Sequence, residues 1–208
     1  MLKGMSLEEK IKLAEDESTP PEVLRELVCD EHPNVRLAVA ENPNTPPELL
    51  RELASDWYWE VREAVARNEN APIELLSKLA EDKVWSVREA VAENLNTPPD
   101  VLRKLARDKD RYIRRAVAGN VSTPPDVLRE LANDEEPGVR EAVARNENAP
   151  PDVLMKLARD EDWVVRLRVA RNPRAPKETL EELTGDRDER VKKVALGRLN
   201  ERSRALNS

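Results

Sequence analysis

The sequence predicts an all-α fold, an α-solenoid of seven 26-residue repeats that are each a pair of short helices, with a cap at either end. The same residue types recur every 26 positions from Thr19 onwards without insertion or deletion, as in the repeat TPPELLRELASDWYWEVREAVARNEN of residues 45–70. Each repeat holds two segments with apolar residues at helical spacing. Only 5 of the 208 residues are glycine and none is phenylalanine, which disfavours a fold rich in β-turns.

The first helix of each repeat opens on Thr-Pro-Pro-Glu or a close variant. We expect the threonine at the N-cap, where it forms a capping box with the acidic residue three positions later. Proline suits the first helical position because its fixed φ is helical and its missing amide proton would have had no partner. A leucine pair, Leu50 and Leu53 in the second repeat, recurs in every repeat and predicts the buried face.

The second helix carries the pattern V-R-x-A-V-A-x-N, as in residues 61–68. Val61, Ala64 and Val65 form a narrow apolar stripe, and the alanines allow neighbouring helices to approach closely. The final asparagine, Asn68 in this repeat, is expected to adopt the left-handed conformation that ends many helices. Helices of this length are marginal in isolation, so the repeats must stabilise one another by stacking.

The two ends of the chain depart from the repeat as caps should. Ser6-Leu7-Glu8-Glu9 predicts a capping box and a helix that covers the first repeat, so residues 1–18 are assigned as an N-terminal cap. Residues 19–200 are the seven repeats. The last repeat departs from the consensus, and its second helix is expected to continue through residues 190–206, so residues 201–208 are assigned as a C-terminal helix extension or tail.

An aspartate precedes an arginine by six positions in six repeats, from Asp30 and Arg36 to Asp160 and Arg166, and the last repeat has Asp186 and Lys192. The favoured interpretation is structural: each aspartate caps the second helix and pairs with an arginine of its own or a neighbouring repeat. The alternative is a row of arginines for an anionic ligand.

The aromatic residues indicate the surface best suited to a partner. All of them lie between the two helices of a repeat, and clustered tryptophan and tyrosine are typical of binding hot spots. The alternative is that each ring packs over the helix ends beneath it. The candidate partner-binding residues are Trp57, Tyr58, Trp59, Trp85, Tyr112 and Trp163.

Composition excludes several function classes. The mean hydropathy is −0.72, and no apolar run approaches the ~18 residues of a membrane span. The net charge of −7 argues against nucleic acid as the main partner, although a local basic face remains a lesser alternative. Cys29 and His32 have no distinctive further ligands, so neither catalysis nor a metal or other cofactor is expected. The chain begins without an apolar signal core, and a cytoplasmic location is expected.

Two further features concern the second helices. Glu63 with Arg67 and Glu141 with Arg145 form i,i+4 pairs, and charges alternate between repeats, which predicts high thermal stability.

Arg168 replaces an alanine found in other repeats, so the packing there must differ. It indicates either accommodation toward the C-terminal cap or a self-association surface on a protein otherwise expected to be monomeric.

The repeated motif resembles the variant leucine-rich repeat family, whose units share the TPPELLxxLAxD…VRxxVAxN pattern, over nearly the whole chain. The resemblance implies an all-helical right-handed superhelix with a scaffolding or binding role and no common substrate, and it leaves open whether one helix of each pair is a 3₁₀ stretch. The aspartate-to-arginine spacing is also similar to that of HEAT repeats, where such pairs form a ladder. An iron–sulfur segment found in some relatives does not carry over, because Cys29 is the only cysteine.

The expected function is therefore a non-enzymatic repeat scaffold that binds a protein or peptide. The main alternative is a consensus-like or engineered repeat protein without a natural ligand, which the near-identical repeats favour.

Overall fold

The computed structural model describes residues 2–205, which contain fifteen helices and no strand. Helix α1 (Leu7–Glu15) precedes seven helix pairs. The first helices of the pairs are α2 (Pro21–Leu27), α4 (Pro47–Leu53), α6 (Ile73–Leu79), α8 (Pro99–Leu105), α10 (Pro125–Leu131), α12 (Pro151–Leu157) and α14 (Lys177–Leu183). The second helices are α3 (Pro33–Glu41), α5 (Trp59–Arg67), α7 (Trp85–Glu93), α9 (Arg111–Gly119), α11 (Pro137–Arg145), α13 (Trp163–Arg171) and α15 (Glu189–Ala205).

The chain forms two compact units, unit 1 (Met1–Val101) and unit 2 (Leu102–Ser208). In unit 1 the helices α1, α3, α5 and α7 pack side by side in chain order, and in unit 2 the helices α9, α11, α13 and α15 do the same. Short first helices pack against the helices that precede and follow them within a unit, as α4 does against α3 and α5. This holds for α2, α4 and α6 in unit 1 and for α10, α12 and α14 in unit 2. Each unit is thus a stack of helix pairs.

The core of each repeat lies between its two helices, where the leucine pair and the valine stripe meet. Leu50 and Leu53 of α4 and Val61 and Val65 of α5 are all buried, and α4 packs against α5. Full burial of one such side chain contributes about 1.5–3 kcal/mol. The leucine pair is buried in all seven repeats, which confirms the predicted helical face.

The predicted capping box at the first helices is wrong. Helix α4 begins at Pro47 with Pro46 at its N-cap and no side-chain cap hydrogen bond, because a residue before proline disfavours the helical conformation. Thr45 therefore lies one position outside the helix. Its buried hydroxyl donates to the carbonyl of Val39 at 2.5 Å, and so joins the start of one repeat to the second helix of the repeat before it.

The asparagine at the end of each second helix also has a different role from the predicted one. Asn68 has extended backbone angles, φ −65° and ψ 127°, and within residues 2–205 no residue other than glycine has a positive φ. Its side-chain amide donates to the carbonyls of Ala40 (2.8 Å) and Asn42 (3.0 Å) in the preceding repeat, and its oxygen accepts from the Asn70 amide (2.8 Å). The equivalent residues Asn94, Asn146 and Asn172 form the same two bonds to the preceding repeat. Asn42 forms them to the carbonyls of Ala14 and Asp16 in the N-terminal cap.

The ends follow the prediction. Ser6 and Glu9 form the capping box at the start of α1, and α15 continues to Ala205. The predicted continuation to residue 206, the rest of the tail and Met1 lie outside the described residues. The short helices are α-helical rather than 3₁₀: the Ala54 amide, for example, donates to the Leu50 carbonyl at 2.9 Å.

Candidate binding surface

Four of the six candidate aromatic residues lie in unit 1, at the beginnings of α5 and α7. Trp57 and Tyr58 form the turn that leads into α5, with Tyr58 at the N-cap, and Trp59 and Trp85 are the first residues of α5 and α7. Trp57, Trp59 and Trp85 are 75%, 40% and 49% exposed, whereas Tyr58 is half-buried. Because α5 and α7 pack side by side, Trp59 and Trp85 occupy equivalent places about 8–10 Å apart. We call these four residues the aromatic surface.

The turn before α5 is held by aromatic and cationic contacts. The rings of Trp57 and Tyr58 meet edge to face, with centroids 5.3 Å apart and planes at 69°. The guanidinium carbon of Arg36 lies 5.9 Å from the centroid of the Trp57 ring, at the limit of a cation–π contact. One side of Trp57 is therefore supported, and most of the residue remains exposed.

This turn is fixed by the Asp/Arg ladder. The Asp56 carboxylate accepts from Nε (2.6 Å) and Nη2 (3.0 Å) of Arg36 in the preceding repeat, and from the Tyr58 amide (2.9 Å). The predicted pairing is confirmed, with the arginine in the preceding repeat. The predicted capping role is wrong, because the N-cap residue of α5 is Tyr58 and Asp56 lies two positions before it. Equivalent pairs join Arg62 to Asp82, Arg114 to Asp134, Arg140 to Asp160 and Arg166 to Asp186.

The Asp56 carboxylate is stabilised in its ionised form. Burial by itself raises the pKa of the Asp56 carboxyl, but the hydrogen bonds from Arg36 and from the Tyr58 amide outweigh burial and lower that pKa below its ordinary value. Helix α1 supplies the first cation: Lys10 donates to Asp30 at 2.7 Å, where a repeat would provide arginine. Sequence reasoning missed this pair. An alignment of α1 with the second helices would have shown that Lys10 precedes Asp30 by the same 20 positions that separate Arg36 from Asp56.

The two aromatic residues of unit 2 each lie beside an arginine of the protein itself. Tyr112 is 47% exposed, and the guanidinium carbon of Arg111 lies 5.2 Å from the centroid of its ring. Trp163, the first residue of α13, is half-buried, and the guanidinium carbon of Arg190 lies 3.3 Å from its ring centroid. One face of Trp163 is thus covered by the chain.

The two units differ in charge. Residues 1–101 contain 11 Lys and Arg against 22 Asp and Glu, whereas residues 102–208 contain 24 against 20. The net charge of −7 sums over both units and so does not show this difference, although a count of charges along the sequence would have found it. The aromatic surface lies in the acidic unit.

The second helices of unit 1 carry an ion pair between repeats and, in the described part of the chain, two unpartnered polar atoms. Arg67 pairs with Glu63 at 3.1 Å, as predicted, and with Glu93 of the next repeat at 2.5 Å. Glu60 Oε2 and Ser86 Oγ are buried, and neither has a hydrogen-bond partner among residues 2–205. These two residues occupy the same place in neighbouring repeats, directly after Trp59 and Trp85. Sequence reasoning did not single them out, since a buried unpaired atom leaves no signal in the sequence.

Arg168, which replaces alanine in the sixth repeat, forms an ion pair with the preceding repeat. Arg168 is half-buried, and its Nε donates to Glu141 of the preceding repeat at 2.8 Å. Glu141 was predicted to pair with Arg145 within α11, but its described partner is Arg168. This explains how the repeat accommodates a large cation in place of alanine.

Cys29 and His32 have structural partners. The Cys29 thiol donates to Glu52 at 3.2 Å, and that bond raises the pKa of the thiol, which disfavours the reactive thiolate. His32 is the N-cap of α3 and its Nδ1 accepts from the Asn34 amide at 3.3 Å. Within residues 2–205 no three His, Cys, Asp or Glu side chains are grouped so as to hold a metal ion, and no helix is long and apolar enough to cross a membrane.

The first helices and the turns that follow them carry a second set of ion pairs, which sequence reasoning missed. Arginines pair with carboxylates 23 positions later, in the next repeat, with distances of 2.5–3.0 Å. The sequence could have revealed these pairs, because an arginine is followed by an acidic residue 23 positions later in several repeats. The pairs are Arg25–Glu48, Arg51–Glu74, Arg103–Asp126, Arg129–Asp152, Arg107–Glu130 and Arg159–Glu182.

Comparison with known proteins identifies the family. The family model described as leucine rich repeat variant matches six segments that together cover more than half of the chain, residues 33–56, 59–83, 85–110, 111–136, 137–162 and 163–188. The chain belongs to the leucine-rich repeat variant family. A solved structure described as a leucine-rich repeat variant with a novel repetitive motif is 34% identical to this leucine-rich repeat variant protein, with a TM-score of 0.70 over 95% of this chain and 78% of the other.

Two more distant structures share the fold alone with this leucine-rich repeat variant protein. The Escherichia coli protein YibA is 16% identical, with a TM-score of 0.54 over 95% of this chain and 98% of its own. An engineered protein is 18% identical, with a TM-score of 0.50 over 96% of this chain and 76% of its own. No curated protein matches the sequence. The fold and the family are those of repeat scaffolds.

Proposed function

We propose that this leucine-rich repeat variant protein is a non-enzymatic scaffold that binds another protein or a peptide through the aromatic surface of unit 1. The observation that carries the proposal is the exposure of Trp59 (40%) and Trp85 (49%) at equivalent places on two packed helices. Exposed tryptophans grouped in this way are costly for a soluble protein and are typical of binding hot spots. Tyr112 and Trp163 form a separate group in unit 2, where each already contacts an arginine.

The ladder beneath the aromatic surface favours tight binding. Asp56 and Asp82 each hold the turn before a tryptophan-bearing helix, through an arginine of the preceding repeat and the amide of the N-cap residue. A surface that is already ordered loses little conformational entropy when a partner docks. The repeated architecture therefore presents the tryptophans on a rigid support.

The test is capture of partners on immobilised protein, comparing wild type with the double variant Trp59→Ala/Trp85→Ala. The matched control is Ile73→Ala/Leu95→Ala, because those residues are also large, apolar and exposed (58% and 61%) but lie elsewhere on unit 1. We expect the tryptophan variant to lose capture with unchanged helicity and the control to retain it. Equal capture by all three proteins would refute the site, whereas no capture by wild type would favour a scaffold without a natural ligand.

Nucleic acid is disfavoured as the partner even for the more basic unit 2. Arg103 and Arg129 on its first helices, and Arg159 in the turn after α12, pair with carboxylates of the next repeat. Phosphate contacts there would have to displace those carboxylates. DNA binding that weakens steeply with salt would revive this alternative.

A further inference from the structure

The contact of Trp163 with an arginine of the protein itself provides a model for a site at Trp59. Trp163 is the first residue of α13, and Arg190 of the next repeat lies with its guanidinium carbon 3.3 Å from the ring centroid. The same guanidinium donates to Asp188 from Nε (3.0 Å) and Nη2 (2.6 Å). A tryptophan face and a carboxylate thus bind one arginine together, a combination that suits the planar, delocalised guanidinium.

Trp59 occupies the equivalent place on α5, but its counterpart of Arg190 is a serine. Arg190 follows Trp163 by 27 positions, and the residue 27 positions after Trp59 is Ser86. The packing of α13 against α15 is repeated by the packing of α5 against α7. A serine side chain is too short to cover an indole, which agrees with the 40% exposure of Trp59.

Two buried polar groups belong to the residue that follows Trp59 in sequence and to the residue at the counterpart of Arg190. Glu60 Oε2 and Ser86 Oγ are buried and lack hydrogen-bond partners among residues 2–205. A buried acceptor without a donor is unfavourable, and a bound cation would supply the donors. Glu60 would then accept hydrogen bonds from the guanidinium of a bound arginine, as Asp188 accepts them from Arg190.

We propose that Trp59, Glu60 and Ser86 form a site for an arginine side chain of the partner, so that the protein recognises an arginine-bearing segment of another protein. This inference rests on the proposed function, whose surface it uses. Unit 1, with 22 acidic against 11 basic residues, attracts such a segment over a longer range. Arginine is favoured over lysine because a guanidinium stacks on the indole and donates in its own plane to a carboxylate at the same time.

The experiment measures binding of a labelled peptide of four Arg-Gly pairs by fluorescence anisotropy, against a Lys-Gly peptide of the same length, at about 0.15 M salt to screen long-range attraction. We expect the arginine peptide to bind more tightly, and Trp59→Ala to weaken it by about tenfold, the loss expected when a partly buried cation–π contact is removed. Ser86→Arg should weaken binding to the same extent, because the new side chain would cover Trp59 as Arg190 covers Trp163.

The matched control is Asn34→Arg. Asn34 is exposed and occupies the same place on α3 as Ser86 does on α7, but Leu7 of α1 stands where the tryptophan would be. The control adds the same charge to the same unit and should leave peptide binding unchanged. Equal losses in Ser86→Arg and Asn34→Arg, equal affinity for the two peptides, or no binding by wild type would each overturn the arginine site.

Failure of this inference is distinguishable from failure of the proposed function. If Trp59→Ala/Trp85→Ala abolishes partner capture while Ser86→Arg leaves capture and peptide binding intact, the aromatic surface binds a partner by other chemistry. If the tryptophan variant captures partners as well as wild type does, the proposed function itself is refuted.

Discussion

The asparagine that ends each second helix should be among the most sensitive positions in the protein, and Asn68→Ala tests this. Asn68 is buried, and its side chain makes two hydrogen bonds to carbonyls of the preceding repeat and one to the Asn70 amide. Alanine can adopt a similar backbone conformation at the end of the helix, but its side chain forms none of these hydrogen bonds. The substitution therefore removes the polar link between two repeats and leaves its partners buried.

The magnitude follows from the number of bonds. At about 1 kcal/mol for each intramolecular hydrogen bond, the three bonds of Asn68 are worth about 3 kcal/mol, and more where a partner remains unsatisfied. For a protein of this size, each 1 kcal/mol lowers the unfolding midpoint by about 2–4 °C, so the expected shift is about 6–12 °C.

The assay is thermal and urea unfolding followed by both circular dichroism and tryptophan fluorescence, because coincidence of the two probes tests whether a stack of repeats unfolds as one unit. Asn70→Ala is the control: Asn70 is exposed and its side chain donates to one carbonyl, that of Pro43. We expect the control to lose less than about 1 kcal/mol. If Asn68→Ala loses no more than Asn70→Ala, the asparagine amides do not hold the repeats together.

The other predictions concern the ladder, the tryptophans and overall stability. Arg166→Lys keeps the charge but loses the paired bonds to Asp186 (2.6 and 2.9 Å), so urea unfolding should show a loss of about 1–3 kcal/mol; an unchanged midpoint would mean that a single ammonium suffices. The pKa values of Asp56, Asp82, Asp134 and Asp186 are lowered in the folded protein. Their contribution to stability is therefore present above the unfolded pKa of about 3.9 and is lost as pH falls through the lower folded values. Circular dichroism should therefore show destabilisation beginning below about pH 4, and constant stability down to pH 2 would contradict this. Acrylamide should quench most of the tryptophan emission, and Trp163→Phe should remove the protected fraction because Arg190 covers that ring; an unchanged quenching profile would show that it does not. The ion pairs between repeats predict a calorimetric midpoint above about 65 °C, and a value in the ordinary mesophile range would contradict this.

Much of the fold was predictable because each repeat encodes the same local signals. The leucine pair and the valine stripe predicted both helices and their buried faces, and Ser6 with Glu9 predicted the cap on α1. The errors concerned residues whose local preference differs from their use in the stack. Thr45 and Asn68 are good capping residues in isolation, but each donates instead to a carbonyl of another helix, because repeat stacking brings those carbonyls within reach.

The sequence by itself determined the number of repeats, their helical nature and the positions of the aromatic residues, since these follow from period, propensity and spacing. Only the tertiary structure decided which side chains meet between repeats. It placed Arg36 on Asp56 of the next repeat, covered Trp163 with Arg190 and left Trp59 exposed. It also left Glu60 Oε2 and Ser86 Oγ buried without hydrogen-bond partners among residues 2–205. The reason is physical: contacts between residues 20 to 28 positions apart depend on the rise and rotation from one repeat to the next, and neither is encoded in the composition of a single repeat.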